Sequence, residues 1–316
     1  MKVTEYIESS DKTLFSFEIL PPLKGKSIQS IYDGIDPLME FDPKFINVTY
    51  HREEYIYKDR GNGLLEKVSI RKRPGTVGIC AAIMNKYKVD AVPHLICGGF
   101  STEETENALI DLNFLGVDNV LVLRGDPVKT ESVFKPHPKG HAYAVDLVKQ
   151  VGEMNKGVYV EDDIKMDPTS FCIGVAGYPE KHFEAMNDDV DLHYLKQKID
   201  AGAEYIVTQL FFNNQKYFNF VEKCRAAGIN VPIIPGIKPI ENLRHVSFLP
   251  KFFHIDLPNE LASELLKCKT DAEVAQVGHE WGVHQSKELH KAGVPCIHYY
   301  TMGKSTAVKS IAEKVF

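Results

Sequence analysis

The chain has 316 residues, 44% of them hydrophobic and 25% charged, a composition typical of a globular protein with a large buried core. Its net charge is −6 and its Lys and Arg residues are scattered, which argues against nucleic acid or an anionic membrane surface as a partner. The amino terminus lacks the apolar segment of a signal peptide, and no apolar run approaches the ~20 residues that span a bilayer. We therefore expect a cytoplasmic protein. Its six cysteines form no C-x-x-C pair, so we expect reduced thiols and no metal site.

Eight short apolar segments are predicted to form strands. In chain order they are residues 15–18, 45–49, 93–97, 120–124, 171–176, 205–210, 231–236 and 296–300. The early segments are continuously apolar, as expected for parallel strands that are covered on both faces. Glycine ends a predicted helix before four strands, at Gly116, Gly202, Gly228 and Gly293, where it can adopt the left-handed conformation. This pattern predicts an α/β protein in which strands and helices alternate within one domain.

Two predicted helices carry features that bear on the site. In the first, a capping box formed by Ser101 and Glu104 precedes an apolar stripe at positions 109, 112 and 115. In the second, an apolar stripe at positions 192, 195 and 199 lies beside a polar stripe of Asp191, Tyr194 and Lys198. Residues 127–140 form a polar loop long enough to shape a site. Residues 238–291 leave room for two or three helices before the last strand.

Six short apolar runs in the predicted strands end in a polar residue. These residues are Glu18, Thr49, His94, Asp126, Tyr178 and Gln209. In a barrel, such positions meet around one reaction site. Glu18 lies among Phe15, Phe17, Ile19 and Leu20, where poor solvation should raise its pKa and suit it to general acid catalysis. The alternative is a strand-end carboxylate that merely pairs with a Lys or Arg, and for Glu18 alone the two readings are about equally good.

The segment Arg124-Gly-Asp126 directly follows the fourth predicted strand. Gly125 would let backbone N–H groups approach a ligand, Arg124 could bind a phosphate, and Asp126 could face a developing positive charge. A plain Asp-Pro turn is the simpler interpretation of the same residues taken alone.

Gln209 ends an apolar strand with a neutral amide, which can both donate to and accept from a heterocycle. The adjacent Phe211 and Phe212 are predicted to offer a stacking surface. His94, by contrast, is by itself more often a satisfied core histidine than a functional one. Together, the strand-end residues indicate a pocket for a large planar ligand that carries phosphates.

Several common motifs are absent from the sequence. It contains neither G-x-G-x-x-G after a strand nor G-x-x-x-x-G-K-[ST], which argues against a Rossmann dinucleotide site and a Walker-type phosphate loop. His279 and His284 are five residues apart and would lie on different faces of a helix, so we interpret them as part of a solvated helix.

Eight segments resemble motifs of the methylenetetrahydrofolate reductase family, in that family's order and over nearly the whole chain. They are residues 15–22, 47–50, 93–97, 123–126, 177–182, 191–202, 208–212 and 235–240. The resemblance implies a (β/α)8 TIM-type barrel, a single domain over residues 1–316, that binds FAD without a Rossmann fold. It also implies reduction of 5,10-methylenetetrahydrofolate to 5-methyltetrahydrofolate by NADH or NADPH, which supplies methyl groups for methionine synthesis. We expect no regulatory domain.

The resemblance also assigns roles to single residues. Glu18 corresponds to the family's general acid, and Asp126 to a carboxylate near the flavin and the pterin. Substrate contacts are expected from Glu18, Asp126, Gln209 and Lys304, the last in place of a more usual arginine. FAD is expected to contact Thr49, His94, Arg124, Gly125, Asp126, Tyr143, Ala144, Tyr178, His182, Asp191 and Lys198.

The implied mechanism is ping-pong: the nicotinamide reduces the flavin and leaves, and the folate then takes the same flavin face. Glu18 protonates N10 of the folate, the five-membered ring opens to an iminium cation, and Asp126 stabilises that cation. Two alternatives stay open: an FAD barrel resembling proline dehydrogenase, which would need no acid at position 18, and a non-catalytic barrel that binds folate or flavin. NADH is the expected reductant by analogy, and a homo-oligomer is expected.

Overall fold

The structure, a computed structural model, describes residues 1–128, 131–161 and 166–316. The predicted loop over residues 127–140 thus lies partly outside the described residues. The strands in chain order are β1 (Leu14–Ile19), β2 (Phe45–Val48), β3 (Glu54–Asp59), β4 (Leu65–Ile70), β5 (Asp90–Ile96), β6 (Asn119–Leu123), β7 (Cys172–Gly177), β8 (Tyr205–Thr208), β9 (Ile233–Ile234), β10 (Gly236–Ile237) and β11 (Cys296–Tyr300). Nine of them form one parallel sheet in the order β10-β11-β1-β2-β5-β6-β7-β8-β9. This sheet curls into a nearly closed barrel, which confirms the predicted α/β barrel fold.

Helices alternate with most of the barrel strands, and most of these helices cover the outside of the sheet. They are α1 (Val3–Glu8), α2 (Gln29–Ile35), a 3₁₀ helix (Asp36–Phe41), α3 (Thr76–Tyr87), α4 (Thr102–Phe114), α5 (Ala144–Met154), α6 (Asp188–Asp200), α7 (Asn214–Ala226), α8 (Leu243–Phe253), α9 (Asn259–Leu265), α10 (Asp271–Lys291) and α11 (Thr306–Ala312). Three of them, α8 to α10, fill the stretch where two or three helices are predicted. Within the described parts of the chain, every helix is too short or too polar to cross a bilayer.

The seventh predicted strand, residues 231–236, is wrong as one continuous strand. Pro235 interrupts it, so that β9 pairs with β8 while β10 pairs with β11. Proline has no N–H group and cannot donate to a sheet ladder, so the chain changes partner at this residue. The two short pieces together occupy the place of one strand and close the barrel.

The four glycine helix ends are confirmed. Gly116, Gly202, Gly228 and Gly293 have φ angles of +73°, +116°, +75° and +71°. These angles lie in the left-handed region, which a side chain would make costly. Each glycine therefore ends its helix and turns the chain back toward the next strand of the sheet.

The predicted start and apolar stripe of α4 are largely confirmed. Ser101 and Glu104 form the reciprocal capping box, and Leu109 and Leu112 are fully buried. Leu115 does not belong to this stripe, because it follows the last helical residue and is exposed.

An antiparallel hairpin of β3 and β4 projects between β2 and α3 and is not part of the predicted fold. Its turn contains Gly61, Asn62 and Gly63, all with positive φ. The side chains of Tyr57 and Leu65 are exposed on it. The hairpin is an insertion that leaves the barrel order unchanged.

Side chains alternate across each barrel strand, and this decides which end of the barrel is open. On β1, Phe15, Phe17 and Ile19 pack outward against the helices, whereas Ser16 and Glu18 point inward. Near the amino ends of the strands, an apolar cluster fills the interior: Val3, Phe45, Val92, Leu121, Cys172, Tyr205, Val207, Ile234 and Cys296. Because Val3 belongs to α1, that helix closes this end. Among the described residues, the carboxyl ends of the strands are therefore the open end of the barrel, where a ligand can enter.

Candidate active site

Glu18 lies on the inner face of β1, near the open end of the barrel. Its side chain is only 14% exposed, and burial raises its pKa to about 8. The carboxyl is therefore protonated at neutral pH and can act as a proton donor. The direction of this pKa shift agrees with the prediction, but Phe15, Phe17 and Ile19 point away from Glu18, so burial inside the barrel causes the shift.

His94 is the nearest polar partner of Glu18. It lies on the inner face of β5, and its Nε2 atom is 3.5 Å from Oε2 of Glu18. Burial lowers the pKa of His94 to about 3, with His51 nearby adding to the effect, so the imidazole is neutral. Nδ2 of Asn47, on the inner face of β2, is 3.4 Å from the same Nε2 atom.

A second buried histidine lies deeper in the barrel. Nδ1 of His298, on β11, is 2.9 Å from the Ser16 hydroxyl oxygen. Burial lowers the pKa of His298 to about 3. A layer of neutral polar side chains therefore lies between Glu18 and the apolar cluster that fills the barrel near the amino ends of the strands. Its members are Ser16, Asn47, His94 and His298.

Gln209 and Tyr300 lie on the wall opposite His94. The Tyr300 hydroxyl donates to the carbonyl of Thr208 at 2.7 Å. The Gln209 side-chain oxygen accepts from the N–H of Leu210 at 2.9 Å, which leaves its amide nitrogen available for a ligand. Phe211 and Phe212 are almost fully buried, so the predicted stacking surface is wrong. Phe211 stacks instead on Tyr217 in the core, with ring centroids 5.5 Å apart.

The loop after β6 brings Arg124, Gly125 and Asp126 to the open end of the barrel, here called the mouth. Arg124 forms an ion pair with Glu184 at 2.6 Å, and its guanidinium lies 5.1 Å from the ring centroid of Phe134. Gly125 has a φ of +85°, and a Cβ there would lie 3.2 Å from the side chain of Ile96. Asp126 is exposed toward the opening, yet the surrounding protein raises its pKa, an effect that Arg124 opposes.

The loop after β7 and helix α6 supply a second polar group. The Asp191 carboxylate accepts the N–H of His182 at 2.9 Å, and the His182 ring meets that of Tyr178 edge to face at 4.7 Å. Lys198 donates to the carbonyl of Ala176 at 2.7 Å. Burial lowers the pKa of Lys198 to about 8, which Asp191 opposes. The predicted polar stripe of α6 is thus partly turned toward the mouth, although Tyr194 is exposed.

The other predicted site residues lie on the rim. The Thr49 hydroxyl donates to the carbonyl of Ile19 at 3.3 Å. Tyr143, exposed by 61%, precedes Ala144, the first residue of α5, and no side chain caps that helix start. Lys304 is exposed in the turn after β11.

Two residues of the site and one cavity have no role in the sequence prediction. Glu184, the partner of Arg124, is one, and Asn47 is the other, although it lies within a segment used for the family resemblance. A cavity of about 570 Å³ also opens beside His94, with Tyr50, Arg71 and Phe100 among its lining residues. Burial and contacts across strands single out these residues, and no pattern along the chain does so.

Residues 2–315 match the family model described as "Methylenetetrahydrofolate reductase". The "Methylenetetrahydrofolate reductase 1" of Schizosaccharomyces pombe is 34% identical over 322 residues, covering 100% of this chain and 48% of that protein. The "Methylenetetrahydrofolate reductase (NADH) 1" of Arabidopsis thaliana is 32% identical over 318 residues, with coverages of 96% and 48%. The "5,10-methylenetetrahydrofolate reductase" of Escherichia coli is 31% identical over 291 residues, with coverages of 92% and 86%.

The chain spans about half the length of the fission yeast and plant relatives. A similar solved structure is described as an "Uncharacterized protein from Clostridium thermocellum" that "binds two copies of 5-methyl-5,6,7,8-tetrahydrofolic acid". Its TM-score is 0.58 at 15% sequence identity, and the match covers 98% of this chain and 97% of that chain. At this identity, the likeness supports the barrel fold alone.

Proposed function

Because the chain belongs to the methylenetetrahydrofolate reductase family, we propose that it reduces 5,10-methylenetetrahydrofolate to 5-methyltetrahydrofolate. The observation that carries this proposal is Glu18, a buried carboxyl that stays protonated at neutral pH beneath the open end of the barrel. A carboxyl in this state suits a reaction that needs one proton from the protein. Simple binding of a folate would not require it.

We propose FAD as the bound cofactor, and the residues at the mouth fit it. Gly125 carries no Cβ, which at a φ of +85° would be strained and would press against Ile96, so glycine is required in this loop. The start of α5 has no side-chain cap, so its first N–H groups can donate to an anion. Arg124 and Lys198 supply positive charge. When bound, FAD would accept hydride from a nicotinamide and return it to the folate.

The residues of the chain would then have separate tasks. Arg124 would exchange its ion pair with Glu184 for a phosphate of the cofactor. Gln209 would offer its free amide nitrogen to the folate, and Lys304 would place a positive charge near the carboxylates of the folate tail.

Glu18 would hold the proton that goes to N10 of the folate as the five-membered ring opens. Opening leaves a cation on the folate, and Asp126 would stabilise it as a fixed negative charge. The two carboxyl groups thus have opposite tasks, because Glu18 is deeply buried while Asp126 lies at the exposed mouth beside Arg124.

NADH is the proposed reductant. The name of the Arabidopsis relative specifies NADH, and this supports the choice without excluding NADPH.

The decisive experiment is anaerobic stopped-flow of the two half-reactions with both nicotinamides. We expect purified protein to be yellow, its flavin to be bleached by NADH, and the colour to return on addition of methylenetetrahydrofolate. A yellow protein whose reduced flavin is not reoxidised by the folate would indicate another flavin barrel oxidoreductase. A protein that binds folate or flavin without hydride transfer would be a non-catalytic binder.

Replacing Asp126 with asparagine should make the flavin easier to reduce and slow its reoxidation by the folate about tenfold or more. The amide keeps the shape of the carboxylate but removes the charge that opposes a negatively charged reduced flavin and stabilises the folate cation. The midpoint potential measured against a reference dye, together with the reoxidation rate, checks this result. Asp200→Asn is the matched control, since Asp200 is exposed and pairs with Lys196. An unchanged potential in Asp126→Asn would mean that Asp126 lies away from the flavin.

A further inference from the structure

Three polar groups meet at one ring nitrogen inside the barrel. Nε2 of His94 is 3.5 Å from Oε2 of Glu18 and 3.4 Å from Nδ2 of Asn47. Asn47 is 1% exposed and comes from a different strand than either partner. Both separations are at the long end for hydrogen bonds, as is common in active sites before substrate binds.

The chemistry of these atoms restricts where the protons lie. An amide nitrogen can only donate, so Nδ2 of Asn47 faces a ring nitrogen that carries a lone pair. The imidazole is neutral because it is buried, and its single proton therefore lies on Nδ1. In this tautomer, the one lone pair of Nε2 is shared between the N–H of Asn47 and the O–H of a protonated Glu18, and Nε2 has no hydrogen to offer to an ionised Glu18.

We propose that Asn47 is a positioning residue that holds His94 in the tautomer with a bare Nε2 atom, and that this keeps the acid proton on Glu18 until the folate takes it. This inference rests on the proposed function, since it concerns how Glu18 keeps its proton. Asn47 would act through His94 and would not touch the folate.

The other titratable groups around this pair do not favour an ionised Glu18. His298 and Tyr300 face it from β11, and burial keeps both uncharged at neutral pH. His51, after β2, is the further group that acts on His94, and burial together with Arg73 lowers its pKa. Burial raises the pKa of Glu18. The tautomer of His94 would therefore decide whether an ionised Glu18 has a hydrogen-bond donor at Nε2.

The direct test reads the tautomer by NMR on the FAD-loaded protein labelled with ¹⁵N-histidine at neutral pH. We expect Nε2 of His94 to resonate as an unprotonated ring nitrogen and Nδ1 as a protonated one. His94→Gln assigns these signals by removing them. A protonated Nε2 would overturn the proposal, because Asn47 would then have to present its oxygen to the ring.

The second test measures the pKa of the Glu18 carboxyl by ¹³C NMR in Asn47→Leu. Leucine is similar in size but cannot donate, so the tautomer with N–H at Nε2 becomes accessible and can stabilise ionised Glu18. We expect the pKa of Glu18 to fall by about one unit, a tenfold shift toward the ionised form. Asn47→Val serves if the leucine variant does not fold. An unchanged pKa in a folded variant contradicts the proposal.

Ser16→Ala is the matched control. Ser16 lies on the same face of β1, two residues before Glu18, and contacts His298 instead of His94. Loss of the Ser16 hydroxyl should leave the pKa of Glu18 unchanged. An equal fall of this pKa in Ser16→Ala and Asn47→Leu would indicate a general loss of packing and would overturn the proposal. If the wild type reduced no folate, the proposed function would fail, while both NMR results would still decide the role of Asn47.

Discussion

Replacing Glu18 with glutamine is expected to abolish folate reduction while the flavin stays bound and reducible by NADH. Glutamine keeps the shape of the side chain but has no acidic proton, and only the second half-reaction needs a proton at N10 of the folate. Loss of a general acid typically costs about 10²–10⁴-fold in rate, and we expect flavin reoxidation by the folate to slow by that amount. Anaerobic stopped-flow of each half-reaction measures this directly.

The pH dependence gives the same residue an independent test. Burial raises the pKa of Glu18 to about 8, so the acid form is present below that pH and is lost above it. Reoxidation in the wild type should therefore fall about tenfold per pH unit above the pKa, and flavin reduction should not follow this curve. Glu180→Gln is the control for Glu18→Gln. Glu180 is a buried carboxylate that pairs with Lys216 at 2.7 Å, so its replacement should affect the stability of the fold. Equal slowing of both half-reactions in Glu18→Gln would refute the role of Glu18.

Replacing Gly174 with alanine is expected to destabilise the barrel by about 3 kcal/mol, the upper range for overpacking a core. Gly174 lies on the inner face of β7, and a Cβ there would be 2.2 Å from Cζ of Tyr205. Tyr205 is fully buried and fills the barrel interior, so its ring has no room to move. Urea unfolding of the two proteins measures the difference in the free energy of unfolding.

Two further variants locate the cause of this loss. Tyr205→Leu shortens the side chain that the new methyl would meet, so Gly174→Ala should cost much less in the Tyr205→Leu background. Gly34→Ala, in α2 where a Cβ would meet nothing within 4 Å, should be neutral or stabilising by about 0.5–1 kcal/mol. A Gly174→Ala protein as stable as the wild type would show that the interior can rearrange.

Most of the barrel is predictable because its signals are local. The strands are continuous apolar runs, and the glycines at positions 116, 202, 228 and 293 mark helix ends through a conformational preference of the residue itself. The hairpin of β3 and β4 is also marked locally, by alternating segments on either side of Gly61-Asn-Gly63, a turn signal that the strand prediction passes over. The break at Pro235 is likewise readable from the missing N–H of proline.

The predictions for Phe211, Phe212 and Leu115 are wrong for two reasons. Phe211 and Phe212 look like a ligand surface next to Gln209, but the packing of α7 and α10 against that strand buries them. Leu115 continues an apolar stripe in the sequence, yet the helix ends one residue earlier. The burial of Phe211 and Phe212 is caused by elements far away in the chain, and the exposure of Leu115 is caused by the end of its helix. The periodicity of apolar residues predicts neither.

By itself, the sequence determined the alternation of strands and helices, the inward direction of Glu18 and the family to which the chain is similar, because each of these depends on residues close together in the chain. Only the tertiary structure decided that His94 and Asn47, from two other strands, meet at Glu18, that Glu184 pairs with Arg124, and that Tyr205 occupies the space left by Gly174. These contacts depend on strand register and on closure of the sheet, which place atoms from distant segments within a few ångströms of one another. The burial of Glu18, which raises its pKa, also depends on strand register and on closure of the sheet.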